Sequence, residues 1–106
     1  MAKYLITATY TADGAKGLMK DGGMKRRQAA EAAVKSVGGQ VEAFYFAFGE
    51  NDAVLIIDAP DNVSVASASL AINSSGLVKT KTVVLLTPEE IDQATKKSAT
   101  YQPPGR

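Results

Sequence analysis

Tyr4-Leu5-Ile6-Thr7-Ala8-Thr9-Tyr10 decides how the rest of this chain must be read. Read as a strand, it sets Tyr4, Ile6, Ala8 and Tyr10 on one side and Leu5 on the other. The runs Val41–Phe48, Ala53–Ile57 and Val83–Leu86 are also apolar, with little alternation. A half-exposed antiparallel sheet normally alternates apolar with polar residues. These strands therefore predict a sheet with two dry faces, while the helices of so short a chain cover only one. A second copy of the chain is the expected cover for the other.

The 106 residues are enough for one domain that buries a core without metals or disulfides. A hydrophobic share of 45% against 22% charged places the chain among ordinary globular proteins. A net charge of +1 lacks the basic excess of a nucleic-acid footprint. No run reaches the roughly 20 apolar residues that span a bilayer. Strand-like sequence starts at Lys3, so no signal peptide is expected. Without cysteine there is no thiolate nucleophile, sulfur metal site or disulfide, which fits a cytoplasmic location. Without histidine there is no Ser-His-Asp triad, and Ser67, Ser69, Ser74 and Ser75 have no base to activate them. Any proton transfer falls to a carboxylate, lysine, tyrosine or water. No cofactor and no metal site are expected.

After the first strand, at about Lys3–Tyr10, helix is expected from near Thr11-Ala12-Asp13, broken at Asp21-Gly22-Gly23. Its second piece, Met24–Val37, aligns Ala30, Ala33, Val34 and Val37 on one stripe, and Gly38-Gly39 ends it as a left-handed cap. Strands are expected at about Gln40–Phe48 and Asp52–Asp58, joined by a tight Gly49-Glu50-Asn51 turn. Asp61 or Asn62 then caps an Ala- and Ser-rich helix, about Asn62–Asn73, followed by a strand at Lys79–Leu86. Thr87-Pro88-Glu89-Glu90 is a capping-box helix start, for a short helix to about Lys97. The tail from Ser98, with Pro103-Pro104-Gly105, has no core pattern. The order predicts an α+β, ferredoxin-like βαββαβ domain over 1–97, with a 98–106 tail. Its four-stranded antiparallel sheet carries two main helices on one face. Pairing two bare faces gives a dimeric α/β barrel.

The run Phe44-Tyr45-Phe46-Ala47-Phe48-Gly49-Glu50-Asn51-Asp52-Ala53-Val54-Leu55-Ile56-Ile57-Asp58-Ala59-Pro60 resembles the signature hairpin of the GYD domain family. The opening Tyr4–Thr11 and the later Ser75–Thr82 extend the resemblance over about residues 3–90. Gly49 and Asp52 match the Gly-Tyr-Asp theme, and Asn51 stands in place of its tyrosine. The resemblance implies a small bacterial protein with a dimeric α/β-barrel fold and no assigned biochemical role.

Several residue groups could carry chemistry. With Glu50-Asn51 as a two-residue turn, Ala47 would face Val54, and Gly49 would face Asp52. The small residues would leave a groove beside the Asp52 carboxylate, closed by the Tyr45 ring. Asp52 and Tyr45 are then the catalytic candidates, and Tyr45, Gly49 and Asp52 ligand-binding ones; the plainer reading has Asp52 bonding backbone N–H groups. Tyr4 and Tyr10 share a strand face and could line a pocket, or pack as amphipathic core residues. Gly22-Gly23-Met24-Lys25-Arg26-Arg27 sets exposed N–H groups beside cations, making Gly22, Gly23, Lys25 and Arg26 anion-binding candidates; a solvated helix face is the alternative. Phe44, Phe46 and Phe48 alternate on one face as core or dimer packing.

The leading expectation is a cytoplasmic homodimer or larger homo-oligomer that binds a small, partly apolar molecule or serves as an assembly module. Neither nucleic acid nor membrane is an expected partner. The alternative is a cofactor-free enzyme, isomerase- or monooxygenase-like, using Asp52 and a tyrosine.

Overall fold

A computed structural model describes residues Met1–Arg106. The elements run β1 (Ala2–Tyr10), α1 (Ala12–Asp21), α2 (Gly23–Ser36), β2 (Gln40–Phe46), β3 (Ala53–Ala59), α3 (Asn62–Asn73), β4 (Val78–Leu85) and α4 (Pro88–Thr95). All pairings are antiparallel, in the spatial order β2-β3-β1-β4. This is the ferredoxin-like arrangement, its first crossover helix split in two.

Each helix boundary has a local cause. The Thr11 hydroxyl accepts the Gly14 N–H at 3.2 Å to start α1. Gly22, at φ 84°, stops it by donating its N–H to the Leu18 carbonyl. α2 ends in a Schellman pair: Gly38 N–H to Lys35 O and Gly39 N–H to Val34 O, each 3.0 Å, with Gly38 at φ 85°. The Asp61 carboxylate caps α3 by accepting the Ser64 N–H at 2.8 Å. Thr87 and Glu90 form the reciprocal box expected for α4.

The core lies between the sheet and α1–α3. Tyr4 and Ala8 from β1 meet Leu55, Ile57 and Ala59 from β3 and Val78 from β4, with Val34 of α2 and Val65 of α3 closing over them. Asn73 fastens the end of α3 to β4: its Nδ2 donates to Thr80 Oγ1 at 2.8 Å, and its Oδ1 accepts the Thr80 N–H at 3.0 Å. The helices cover one face only. On the other, Leu5, Val54, Ile56, Val83 and Tyr45 lie side by side across the four strands, as the pairings Leu5↔Ile56, Leu5↔Val83 and Tyr45↔Val54 require.

Two sequence expectations are corrected, and one feature is new. The hairpin is not a two-residue turn: Phe46 pairs with Ala53 and Tyr45 with Val54, leaving a loop from Ala47 to Asp52. Asp52 breaks the short turn because its own N–H donates to the Ala8 carbonyl, tying it to β1. The phenylalanines do not act as one row. Phe44 and Phe46 face the helices with rings at 71°, whereas Phe48 lies beyond the strand, fully exposed. Finally, Val41 pairs with Ile57 and Ala43 with Ile56, so Glu42 is a bulge in β2.

Every residue of α4 and of the tail beyond it is exposed. The chain accordingly measures 57 × 33 × 22 Å, with a radius of gyration of 16.9 Å. A compact chain of this length would have about 13 Å.

Candidate functional site

Asp52 is held mainly by backbone. Its Oδ2 accepts the Tyr10 N–H at 2.8 Å, its N–H donates to the Ala8 carbonyl at 2.9 Å, and its carbonyl accepts the Ala47 N–H at 2.9 Å. These three bonds clamp the hairpin loop to the end of β1. Beside the carboxylate lies a groove between α1 and the loop, lined by Tyr10, Leu18, Phe46 and Phe48 among others. Tyr45 does not line it. Its strand position turns it to the open face, where it is 71% exposed. The two catalytic candidates are thus separated, because Asp52 lies before the start of β3 and its carboxylate turns to the Tyr10 N–H at the end of β1. Gly49 sits in the loop with open space where a Cβ would be.

Tyr4 is 2% exposed, and its hydroxyl donates to Asn62 Oδ1 at 2.6 Å. That phenol is committed to joining β1 to the start of α3. Tyr10 is half-buried and lines both the groove and the larger cavity described next.

The glycine-cation segment divides three ways. Gly23 lets the Phe46 ring approach, since an added Cβ would stand 3.0 Å from that ring. Lys25 is exposed, and Arg27 faces Glu31 one turn on at 3.7 Å. Arg26 turns inward to a cavity of about 330 Å³ between the helices and the sheet, lined mostly by apolar side chains. Its Nε is shielded from solvent and has no acceptor. The four anion-binding candidates therefore do not converge. The spacing held a signal for Arg26, which stands four residues before Ala30 and so heads the same stripe.

Sequence reasoning missed an ion cluster on the open face. Lys3 Nζ donates to Asp58 Oδ1 and to Glu42 Oε2, both at 2.9 Å. Gln40 adds a longer contact to Asp58 at 3.4 Å. The hydrogen bond from Lys3 lowers the Asp58 carboxyl below its ordinary value, against burial, which raises it. The Lys3 ammonium is raised, first by Asp58 and then by Glu42. The bulge at Glu42 cannot be read from composition, which is why the third member was hidden.

Fold and site together define a class: a ferredoxin-like domain with one bare sheet face, no histidine or cysteine, and carboxylates engaged in structural bonds. The family model for the GYD domain matches residues 4–95, and the chain belongs to that family. Among curated proteins it is similar to the "glutamine synthetase and cystathionine beta-lyase binding protein" of Thermus thermophilus, at 32% identity over 83 residues, covering 78% of this chain and 86% of that one. Among solved structures it resembles MtbAldR (TM-score 0.56, 18% identity, 81% of this chain and 52% of that one). It also resembles the leucine response regulatory protein LrpA of Mycobacterium tuberculosis (0.51, 15%, 81% and 51%). FFRP-DM1 matches over its whole length (0.50, 17%, 81% and 100%). The chain spans about half the length of the first two structures, and these likenesses establish the fold alone. No helix is long and apolar enough to cross a membrane.

Proposed function

We propose that this protein is a cytoplasmic homodimeric adaptor, in which two sheets pair face to face and the outer helices dock partner proteins. The observation that carries the reading is the uncovered sheet face. Leu5, Val54 and Ile56 are only half-buried there in a single subunit, and Val83 is 54% exposed. Four strands about 4.8 Å apart, each about 24 Å long, present roughly 450 Å² per copy. Joining two such faces covers roughly 900 Å², somewhat below the about 1,200–2,000 Å² of stable complexes. α4 and the 98–106 tail, exposed at every residue, supply the remainder by crossing to the second copy. Ile91 and Tyr101, 47% and 74% exposed, are their apolar contacts.

With the sheet so used, α3 is the face left for other proteins. Its twelve residues, Asn62–Asn73, include no charged side chain. Val63 and Leu70 are 78% and 72% exposed, with small Ala66, Ser67 and Ala71 beside them. Such a flat, uncharged helix face fits a partner's surface rather than water. The name of the Thermus relative supports the partner class and makes glutamine synthetase and cystathionine β-lyase the first candidates. The alternative, a cofactor-free isomerase or monooxygenase built on Asp52 and Tyr45, requires both groups in one pocket, and they lie on different faces.

The test is co-elution on a sizing column with purified glutamine synthetase and cystathionine β-lyase from the same organism. We expect at least one to shift with the wild-type dimer and not with Val63→Glu/Leu70→Glu, which should remain folded and dimeric. Failure of both enzymes to associate, or association untouched by the double substitution, overturns the adaptor reading.

A further inference from the structure

We propose that the cavity between the helices and the sheet binds a small amphipathic carboxylate, with Arg26 holding the acid group. This does not depend on the adaptor reading, because the cavity lies on the opposite side of the sheet from the dimer face. Its volume of about 330 Å³ is at the lower end of small-molecule sites. Protein interiors are otherwise close-packed, and a void of this size goes against stability. The space exists because small residues, Gly17, Ala29, Ala30, Ala33 and Ala68, line it where Leu-sized ones would fill it.

Arg26 supplies the chemistry. It occupies the first position of the inward stripe of α2, where the pattern of Ala30, Ala33 and Val34 calls for an apolar side chain. Its Nε is shielded from water yet donates to nothing. A buried donor without an acceptor is a cost that a fold usually removes, by pairing or by substitution. Asp21, the other charged residue of the lining, is exposed at the rim and forms no ion pair with Arg26. The guanidinium is therefore free to accept a carboxylate in its planar fork. An apolar body would then lie against Ala8, Leu55 and Ala68.

The probe is sodium octanoate, with octanamide as its uncharged counterpart, titrated calorimetrically into the intact protein. Octanoate should bind with one site per chain, about tenfold or more tighter than octanamide, the usual worth of a hydrogen bond to a charged group. Arg26→Gln should reduce octanoate to the level of octanamide while leaving octanamide unchanged. Ala33→Leu, which fills the space, should weaken both. Arg26→Leu should raise the melting temperature of the unliganded protein and remove the preference for the acid. Equal binding of the two probes overturns the proposal, as does no binding of either at millimolar concentration. So does octanoate affinity that survives Arg26→Gln or Ala33→Leu. If Arg26→Gln does not fold, the comparison of the two probes on wild-type protein still decides.

Discussion

Replacing Ile56 with glutamate should split the proposed dimer and leave the subunit folded. Ile56 lies on central β3, paired with Leu5 on one side and Ala43 on the other, in the middle of the open face. It is half-buried already in one subunit, so pairing adds about half the 1.5–3 kcal/mol of a fully buried aliphatic side chain, or about 1 kcal/mol. Placing a polar group without a partner in that interface costs about 1–3 kcal/mol more, and a carboxylate stands at the upper end. Each copy then loses about 2–4 kcal/mol, and twofold symmetry doubles it to about 4–8 kcal/mol, several hundredfold or more in Kd. In the separated subunit the carboxylate reaches water, so the fold should lose only about 1 kcal/mol, the span of strand propensities. Sedimentation velocity across the micromolar range reads the first effect, and urea denaturation the second. Ile56→Val should change neither appreciably. A wild-type protein that sediments as a folded monomer at tens of micromolar would refute the reasoning, as would an Ile56→Glu protein with undiminished self-association.

Asp52→Ala should destabilise by about 1.5–3 kcal/mol, because the Tyr10 N–H loses a charged acceptor, and Asp52→Asn by less, since an amide oxygen still accepts; unchanged urea midpoints would show that the clamp is not holding the loop. Gly14→Ala should cost about 3 kcal/mol or prevent folding, because its Cβ would stand 2.0 Å from the Leu77 carbonyl oxygen, a backbone atom that cannot swing away; a thermal melt within a degree or two of wild type would contradict the packing. The Lys3 cluster sets two pH limbs. Asp58 is lowered in the fold, so its contribution is present above the unfolded value of about 3.9 and is lost as pH falls through the lower folded one. Lys3 is raised, so its contribution is present below about 10.4 and is lost as pH rises through the higher folded value. Asp58→Asn should flatten the acid limb of stability against pH, and an unaltered acid limb would dismiss the pairing as energetically idle.

Much of the fold is legible because its signals are local. The Thr87-Pro88-Glu89-Glu90 start, the Gly38-Gly39 stop and the Asp21-Gly22-Gly23 break each depend on a few adjacent residues, and each stands where the sequence places it. The bare sheet face was legible too, from strands apolar on both sides. The site was less so, because its decisive contacts join distant segments. Asp52 is bound to β1, some forty positions away, and that tie turns its carboxylate away from the face that strand alternation would give it. Tyr45, on the open face, is left outside the groove, and Phe46 packs against Gly23. In the sequence Arg26 stands out by its charge and its neighbours, whereas its place on the apolar stripe is what turns it inward.

The bulge at Glu42 bears on how large the proposed assembly can grow. Both margins of the sheet, β2 and β4, have a free side on which another strand could hydrogen-bond. On β2 the extra residue spoils the regular repeat of donors and acceptors that a newcomer would copy, and on β4 exposed Lys79 and Lys81 repel a like neighbour. Lateral addition, the route to open-ended fibrils, is thereby disfavoured at both ends. In the proposed dimer, stacking two sheets exhausts the surface that drives assembly.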